Sequence, residues 1–228
     1  IQVRRNGTTV GINALLVRQG ARTALLTTKG FRDILEIGRG NRPEAFNLFY
    51  HRLPPFVTRD HRYEIDERLD ARGKVLRPLD REALPAIAAR LKADGIEAVA
   101  VCLLHAWRNP VHEVEIGAYL REHSGCFVSC SHEISREFRE FERTSTVVLN
   151  AYVGPSVSSY LKRFGGALRG TGFDGRLYLM GSSGGVLTEE DTRMRPLLLV
   201  ESGPVGGAAG AAEIGARIGE RNLVAFDM

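Results

Sequence analysis

The sequence predicts an α/β protein in which a mixed sheet is flanked by helices. Three observations lead to this fold class. Strand-like and helix-like patterns alternate through most of the 228 residues. The predicted strand at residues 97–104 has an apolar core, residues 98–104, without alternation, which is typical of a strand buried on both faces. A helix pattern and another short apolar run follow it, and this β-α-β succession favours parallel pairing.

Each element follows from a local pattern of apolar, capping and turn residues. Apolar runs predict strands at residues 22–28, 61–67, 74–77, 97–104, 126–130, 176–180, 197–200 and 222–227. Helical spacing predicts helices at residues 12–19, 31–37, 80–93, 110–123 and 135–153, and further helices from Pro155, after Thr188 and after Ser202. Three prolines make residues 41–58 an irregular connection.

Capping and turn residues set some of these boundaries. Asn109 is predicted to cap the helix in which Pro110 takes the first position. Residues 61–67 and 74–77 are predicted to pair as a hairpin around the turn at residues 70–73. These assignments place most of the polar and glycine-rich segments in the connections.

Both ends of the sequence resemble interior parts of a larger α/β enzyme. The helical pattern that follows Gly7 has no recognisable strand before it. The last residues are an apolar run with Asp227 near its end. In α/β proteins, a carboxylate at the end of such a strand normally contacts a ligand bound beside the following loop. We therefore expect the chain to be the middle of a larger enzyme.

Composition narrows the classes of partner. The 31 basic residues are interleaved with 27 acidic ones and form no basic run of five, so we expect no nucleic-acid partner despite the net charge of +4. No secretory signal pattern is visible, and no apolar stretch reaches the roughly 20 residues that a bilayer span needs. The expected location is the cytoplasm, without membrane attachment.

Three cysteines and three histidines lie close enough in sequence to raise the question of a metal site: Cys102, Cys126, Cys130, His105, His123 and His132. Residues 126–130 are predicted to form a strand, in which residues four apart lie about 13 Å from each other. Two such cysteines neither ligate one ion nor form a disulfide. We favour buried thiols in a reducing compartment, with zinc as the alternative.

Gly-Ser-Ser-Gly-Gly at residues 181–185 follows a predicted strand and fits the Gly-x-Ser-x-Gly pattern of a nucleophile elbow, with Ser183 as nucleophile. That class of hydrolase places its catalytic histidine after the serine, whereas the last histidine here is His132. We therefore favour a glycine-rich strand-to-helix turn that lets a ligand approach backbone N–H groups.

A second small-residue junction occupies residues 201–210. Ser202 is predicted to cap a helix that has Pro204 in its first turn, and the free amides at such a helix start attract anions. The pattern is neither a Walker loop nor a dinucleotide fingerprint. Tight packing of small residues against a sheet is an equally good explanation of the same composition.

Two charged segments are less specific. Arg39 and Arg42 lie in a Gly-x-Gly loop and offer two guanidinium groups for a carboxylate or phosphate, although solvated loop arginines are common. Residues 136–146 mix charges with aromatic residues at helical spacing, which predicts a half-solvated helix with internal ion pairs. Neither segment names a reaction by itself.

Taken in order, these segments resemble the hydantoinase A and 5-oxoprolinase family. The resemblance covers essentially all 228 residues and is highly specific as an ordered set. The segments that carry it are residues 7–10, 13–16, 20–33, 36–39, 63–68, 141–146, 150–153, 202–204 and 226–228.

The resemblance implies a partial actin-like, or ribonuclease H-like, ATPase lobe with the start of the second lobe. Members of this superfamily clamp Mg-ATP between two phosphate-binding loops. This sequence would lie between the loops, because a second Asp-Met-Gly-Gly-Thr loop would begin at Asp227. The implied domains are residues 1–132, an N-terminal region lacking its first phosphate loop, and residues 133–228, the start of the main domain. The chain by itself is expected to be inactive.

The activity implied by the resemblance is ATP-driven opening of a cyclic amide, a hydantoin or 5-oxoproline, through phosphorylation of its carbonyl oxygen. The cofactors would be ATP and Mg, and the partner a hydantoinase B-type subunit or domain. A subunit of an ATP-dependent ketone carboxylase, acting on acetone or acetophenone, is the alternative with the same fold. A non-catalytic remnant is a third. Residues 181–185 depart from the Gln-Ser-Asn-Gly-Gly expected there, which leaves the substrate open.

The resemblance and the motifs together give a set of candidate site residues. Asp227 is assigned as the catalytic residue and as the Mg ligand of the complete site. The nucleotide- or substrate-binding candidates are Thr8, Thr9, Arg39, Ser183, Gly184, Gly185, Ser202 and Gly203.

Overall fold

A computed structural model describes residues 3–6, 8–41 and 44–226. The strands are β1 Val3–Asn6, β2 Thr23–Thr28, β3 Arg62–Ile65, β4 Arg68–Leu69, β5 Val75–Arg77, β6 Ala98–Cys102, β7 Phe127–Cys130, β8 Arg176–Met180 and β9 Val186–Thr188. The helices are α1 Val10–Leu16, α2 Ile34–Ile37, α3 Leu84–Ala93, α4 Val111–His123, α5 Ser131–Ile134, α6 Glu140–Gly170, α7 Glu189–Met194 and α8 Ser202–Ile218. Short 3-10 helices occupy Arg59–His61, Arg81–Ala83 and Pro196–Leu199.

The chain divides into two compact units. Residues 21–155 form one of them, named here the insert unit, because it interrupts the other in sequence. The other, named the base unit, combines residues 1–20 with residues 156–228. The predicted boundary between residues 132 and 133 stays a prediction about the domain structure of the family.

The insert unit is built on a four-stranded parallel sheet in the order β3-β2-β6-β7. Strand β6 lies in the middle and is buried along its whole length, as its uninterrupted apolar sequence predicts. Val99 and Val101 pack with α3 and α4 on one face, and Ala100 packs with residues of α6 on the other. The predicted β-α-β succession with parallel pairing is thus confirmed for β6, α4 and β7.

The predicted hairpin of residues 61–67 with 74–77 is wrong in its first arm. Arg62–Ile65 pairs in parallel with β2 and belongs to the main sheet, and only Arg68–Leu69 pairs in antiparallel fashion with Val75–Arg77. Alternation and a turn signal identify neighbouring strands but do not say which strand pairs with which. Here the buried β3 gains more apolar contact beside β2 than in an exposed hairpin.

The prediction of two helices separated at Pro155 is also wrong, because α6 continues through this proline to Gly170. The predicted start near residue 135 moves to Glu140. A proline inside a helix leaves a carbonyl of the preceding turn without its usual N–H donor. For Pro155 this is the carbonyl of Ala151, four residues earlier. The neighbouring Tyr152 carbonyl oxygen accepts from the Ala21 amide at 3.0 Å.

Other boundaries shift by smaller amounts. The first two predicted helices shorten to α1, which ends at Leu16, and to α2. Helix α4 begins at Val111 with Pro110 as its N-cap, one residue later than predicted. Asn109 still serves this end, since its Oδ1 accepts a hydrogen bond from the Val111 amide at 3.1 Å.

The base unit contains the sheet β1-β8-β9, in which β1 and β8 are parallel and β8 and β9 are antiparallel. The expectation that no strand precedes Gly7 is therefore wrong. Strand β1 precedes Gly7, and its backbone pairs with β8 from Val3↔Arg176 to Asn6↔Leu179. Polar residues in this short segment hide the strand in the sequence, and only its partner 173 positions later reveals it.

Two further predicted strands of the base unit are absent from the described residues. Residues 197–199 lie in the 3-10 helix Pro196–Leu199, which Val200 caps, and residues 222–226 pair with no strand. Short apolar runs do not distinguish a strand from a buried turn of helix, and here Leu199 is buried within the turn. Within the described parts of the chain, no helix is both long and apolar enough to span a bilayer.

Candidate functional site

Two distant segments of the base unit meet at the start of α8. The Ser202 hydroxyl donates to the carbonyl oxygen of Thr8 at 3.2 Å and accepts from the Thr8 amide at 3.1 Å. Both residues are buried. The prediction that Ser202 caps the helix is wrong, because Glu201 is the N-cap and the Ser202 side chain is used on Thr8 instead. Thr8 and Ser202 therefore position the site.

The glycine-rich turn of residues 181–185 reaches the same helix end. It joins β8 to the antiparallel β9, so it is a hairpin turn and not the predicted strand-to-helix turn. Ser182 fixes it: its hydroxyl donates to the Leu198 carbonyl oxygen at 2.8 Å and accepts from the Glu201 amide at 3.1 Å. Gly184 adopts a φ of +85° within the turn, a conformation that glycine takes without strain.

The remaining candidates of the base unit are open to solvent at this place. Thr9, Ser183, Gly184 and Gly185 are exposed, and Gly203 is half-buried. A Cβ added to Gly203 would lie 3.7 Å from Thr9 Cγ2, and one added to Gly184 would lie 3.8 Å from Val205 Cγ1. Residues 8–9, named here the Thr-Thr turn, and residues 181–185, named the glycine turn, thus both border the first turn of α8.

The electrostatics of this helix start suit an anion. Helix α8 has 17 residues and no acidic side chain in its first turn, and the nearest carboxylate is that of the exposed N-cap residue Glu201. The aligned peptide dipoles place partial positive charge at this end, where the first amides have no partners inside the helix. Pro204 removes one of these N–H groups but has the φ angle of a first turn. Two exposed hydroxyls, of Thr9 and Ser183, add donors beside the amides.

Two other site residues were predicted, Arg39 and Asp227. Arg39 belongs to the insert unit, where its Nε forms an ion pair with Glu142. Asp227 lies outside the described residues, and so does Arg42. The catalytic and Mg-binding role of Asp227 therefore stays a prediction, and so does a ligand role for Arg39.

Sequence reasoning missed two buried carboxylates in the insert unit. Glu113 accepts four hydrogen bonds, from Leu103 N at 2.8 Å, Ser131 Oγ at 2.7 Å, and His132 N and Nδ1 at 2.9 and 2.8 Å. Its side chain is fully buried. The sequence gives no signal for it beyond a glutamate on the apolar side of a helix. These bonds tie the ends of β6 and β7 together.

The second buried carboxylate, Glu67, joins three elements. It accepts from the Thr28 hydroxyl and contacts His112 Nδ1 at 2.7 Å. Thr28 Oγ1 in turn accepts from the Leu104 amide at 2.9 Å. This cluster fixes the carboxyl ends of β2 and β6. Because every group in it has a partner in the chain, it has the character of a structural clamp.

The predicted half-solvated helix at residues 136–146 is only partly correct. The predicted type of ion pair is present between Arg143 and Glu140, at 3.4 Å. Arg143 and Thr144, however, are buried and not solvated. Arg143 Nη2 donates to the Leu103 carbonyl oxygen at 2.7 Å. The charged composition concealed this burial, since arginine is rarely placed in a core without partners.

The three cysteines are free thiols of the insert unit. Cys102 and Cys130 are buried, and Cys126 is half-buried. Burial raises the pKa of each thiol, most strongly that of Cys130. Among the residues that the structure describes, no group of three His, Cys, Asp or Glu side chains is arranged to hold a metal ion.

Comparison of the sequence with known protein families gives two matches. Residues 1–124 match the hydantoinase/oxoprolinase N-terminal region, and residues 143–228 match the hydantoinase/oxoprolinase family proper. The chain belongs to the hydantoinase/oxoprolinase family. The resemblance stated from the sequence motifs is thereby confirmed.

Curated relatives in this family have different activities. An uncharacterized protein of Methanocaldococcus jannaschii is 40% identical, over all of this chain and 34% of that protein. The acetophenone carboxylase gamma subunit of Aromatoleum aromaticum is 34% identical, over all of this chain and 33% of the subunit. The caprolactamase subunit alpha of Pseudomonas jessenii is 31% identical, over 98% of this chain and 32% of the subunit.

Two solved structures of similar proteins also match this chain. The ATP-dependent caprolactamase from Pseudomonas jessenii matches with a TM-score of 0.83 and 30% identity, covering 94% of this chain and 31% of that chain. Nucleotide-free acetone carboxylase matches with a TM-score of 0.80 and 25% identity, covering 94% of this chain and 32% of that chain. These matches confirm the predicted fold class, part of an actin-like ATPase. The chain spans about a third of the length of these relatives.

Proposed function

We propose that the protein containing this chain is an ATP-dependent hydrolase that opens a cyclic amide, a hydantoin or 5-oxoproline. One observation carries the proposal most directly. Thr9, Ser183 and Gly203 border the start of α8 in a family whose members include an ATP-dependent amide hydrolase. An amide is a poor electrophile. Transfer of a phosphoryl group from Mg-ATP to its oxygen makes a leaving group and lets water attack.

The residues of the base unit have separable roles in this proposal. Thr8 and Ser202 hold the Thr-Thr turn against α8, and Ser182 holds the glycine turn. The amides of Gly203, Ser183 and Gly185 and the hydroxyls of Thr9 and Ser183 donate hydrogen bonds to phosphate or substrate oxygens, whereas the amides of Gly181, Ser182 and Gly184 are used within the chain. Donors fixed in this way stabilise negative charge without rearranging, which is the main requirement for phosphoryl transfer.

The groups at the start of α8 suit the phosphates of ATP better than they suit a Mg ion. A phosphate group suits the amides and hydroxyls at the start of α8, because all of these groups donate hydrogen bonds. A Mg ion needs oxygen ligands, usually carboxylates. We propose Asp227 for this role in the complete site, and Arg39 as a further contact to substrate or nucleotide.

The same donor set suits an ATP-dependent ketone carboxylase, which is the second candidate. A specific observation favours keeping it: the acetophenone carboxylase gamma subunit matches the whole chain at 34% identity. In either case we propose that the protein acts as a subunit with a hydantoinase B-type partner. The sequence at residues 181–185, next to the proposed ligand, is where the two activities are expected to differ.

The test is an activity assay on the full-length protein, purified with its hydantoinase B-type subunit. Phosphate release is measured with Mg-ATP and, in separate reactions, 5-oxoproline, hydantoin, acetone and acetophenone. Release with a cyclic amide and without bicarbonate supports the hydrolase. Release that needs both a ketone and bicarbonate replaces it with the carboxylase. No release with any of these substrates contradicts both and favours the non-catalytic remnant.

A further inference from the structure

Four buried side-chain nitrogen atoms of the insert unit have no hydrogen-bond partner. They are Nε and Nη1 of Arg143, Nε1 of Trp107 and Nδ1 of His105. Over the described ranges of the chain, no other buried side-chain nitrogen or oxygen is left without a partner. We call these three residues the donor cluster. Native proteins satisfy most of their buried polar atoms, so this group requires an explanation.

The donor cluster belongs to one loop and to the arginine bonded to that loop. Residues 103–109 connect β6 to α4 and carry His105 and Trp107. Arg143 reaches the loop from α6, because its Nη2 donates to the Leu103 carbonyl oxygen at 2.7 Å. The ring of Trp107 packs edge-on against that of Phe138, just before α6, with centroids 6.5 Å apart. These two contacts hold the loop against the segment that carries Arg143.

The loop lies at the carboxyl end of β6, an interior strand of the parallel sheet. Ligands of open α/β sheets bind outside the carboxyl ends of the strands. His105 has a φ of +60°, which is uncommon for a residue other than glycine and is concentrated at functional sites. Its carbonyl oxygen accepts from the amides of Arg108 at 2.9 Å and Asn109 at 3.2 Å. The backbone of the loop is therefore satisfied, whereas its side-chain donors are not.

The chemistry of the unpartnered atoms indicates what they bind. The N–H groups of arginine and tryptophan only donate, and Nδ1 of histidine donates or accepts according to its tautomer. A water molecule has two hydrogens of its own to place, and the unpartnered atoms of the cluster include at most one acceptor, Nδ1 of His105. An oxyanion accepts at every oxygen. The donor cluster therefore suits an oxyanion better than it suits water.

The charge of Arg143 leads to the same conclusion. Its side chain is fully buried, and a guanidinium stays protonated in proteins. Among the side chains that the structure describes, its ion-pair partner is the partly exposed Glu140, at 3.4 Å. Burial of a charge with so little compensation is costly. An anion beside Nε and Nη1 would remove that cost.

We propose that the donor cluster binds a small oxyanion. Arg143 supplies the positive charge, and Trp107 and His105 supply further hydrogen-bond donors. The ligand is an inorganic anion such as phosphate or bicarbonate, or the carboxylate of a small organic acid, since these share a compact negative group of acceptor oxygens. The cluster consists of residues of the insert unit, whereas the start of α8 belongs to the base unit, so the proposal goes beyond the proposed ATP site.

The chain contains its own reporter for this site, because Trp107 is the single tryptophan of the 228 residues. Sodium phosphate, bicarbonate and acetate are titrated at an ionic strength held constant with sodium chloride, and tryptophan fluorescence and the indole N–H resonance are followed. A saturable change in both signals with at least one anion is expected. A response to acetate alone assigns a carboxylate ligand, and a response to phosphate or bicarbonate alone assigns an inorganic one. No saturable response to any of the three overturns the proposal.

A matched pair of variants tests the role of the buried charge. Arg143→Met keeps the length of the side chain and is expected to weaken anion binding at least about 10-fold, since hydrogen bonds to a charged group are lost. Arg139→Met removes an exposed guanidinium four positions earlier and is expected to change binding less than about twofold. Equal binding by the two variants overturns the proposal. Thermal unfolding checks that both variants fold.

Trp107→Phe keeps the test open if Arg143→Met does not fold. It removes one N–H group from a half-buried ring and is expected to weaken binding about 5-fold by calorimetry. Unchanged affinity overturns the proposed contact.

Phosphate bound at the start of α8 has to be distinguished from phosphate at the donor cluster. Gly203→Ala is expected to leave the indole response to phosphate unchanged. A response that is lost in Gly203→Ala and kept in Arg143→Met assigns the anion to the base unit and overturns the proposal. These titrations use neither ATP nor a cyclic amide, so their failure leaves the activity assay unaffected.

Discussion

Thr8 and Ser202 lie 194 positions apart in the sequence and are joined through a single hydroxyl group. Ser202 Oγ accepts from the Thr8 amide at 3.1 Å and donates to the Thr8 carbonyl oxygen at 3.2 Å. One side chain thus satisfies both backbone groups of a buried residue. The turn that leads into α1 is held against the start of α8 by this pair.

Removal of that hydroxyl is predicted to destabilise the base unit. Ser202→Ala leaves the buried N–H and C=O of Thr8 without partners, so we expect a loss of about 1–3 kcal/mol in the free energy of unfolding. The control is Ser183→Ala, which removes an exposed hydroxyl from the same site and is expected to change stability by less than about 0.5 kcal/mol. Urea denaturation of both variants tests the difference. Equal stabilities would contradict the structural role of Ser202.

Gly203→Ala separates packing from ligand binding. An added Cβ meets Thr9 Cγ2 at 3.7 Å, an ordinary contact, and alanine has the higher helix propensity. We expect stability to stay equal or to rise by up to about 1 kcal/mol. For the full-length protein, the proposed function predicts that the methyl group crowds an oxyanion at the Gly203 amide and raises the KM for ATP or substrate. Unchanged kinetics would place the ligand elsewhere.

Glu113 is predicted to be the most sensitive carboxylate of the insert unit. Glu113→Gln replaces one acceptor oxygen of a fully buried group by an NH₂ donor, which then faces donors of the protein. We expect a loss of about 2–4 kcal/mol in the free energy of unfolding. Glu115→Gln, on the same helix, affects only an exposed pair with Arg81 and is expected to cost less than about 1 kcal/mol. Denaturant titration of both variants gives the comparison.

Tyr63 makes the stability of the insert unit depend on pH at the alkaline end. Burial, and then a hydrogen bond to Asp94 of 2.5 Å, raise the pKa of Tyr63 from 10.0 to about 12. The folded state therefore holds the phenolic proton more tightly than the unfolded state. This contribution is complete below pH 10 and is lost as the pH rises from 10 to about 12.

Tyr63→Phe is predicted to remove that dependence. Thermal unfolding between pH 9 and 12 should show a shallower fall in stability for the variant than for the wild type. Tyr119→Phe, which deletes a hydroxyl from a ring stacked on His123 at 4.2 Å, serves as the control and should follow the wild type. Parallel curves for wild type and Tyr63→Phe would show that the phenol titrates normally.

Much of the insert unit could be predicted from the sequence. Residues 97–104 are apolar on both faces, and the structure places β6 in the middle of the sheet for that reason. The prediction failed where the secondary structure of a segment depends on a contact with a distant part of the chain. The residues before Gly7 form a strand only because β8 lies beside them, and α6 continues through Pro155, where the local pattern predicts a new helix.

The candidate site was predicted as a set of residue types and not as an arrangement. Glycine, serine and threonine at residues 8–9, 181–185 and 201–203 indicated exposed amides and hydroxyls for a ligand. Their division of roles was not visible, because Ser182 and Ser183 are chemically identical neighbours. Ser182 holds Leu198 and Glu201, whereas Ser183 is exposed.

By itself, the sequence determined the fold class, the family and most helices and strands, since these depend on local periodicity and on an ordered set of motifs. The tertiary structure decided which strands pair, which of two adjacent serines is structural, and which charged residues are buried. Those properties depend on contacts between residues far apart in the chain. Glu113 is buried only because Leu103, Ser131 and His132 supply four donors to it.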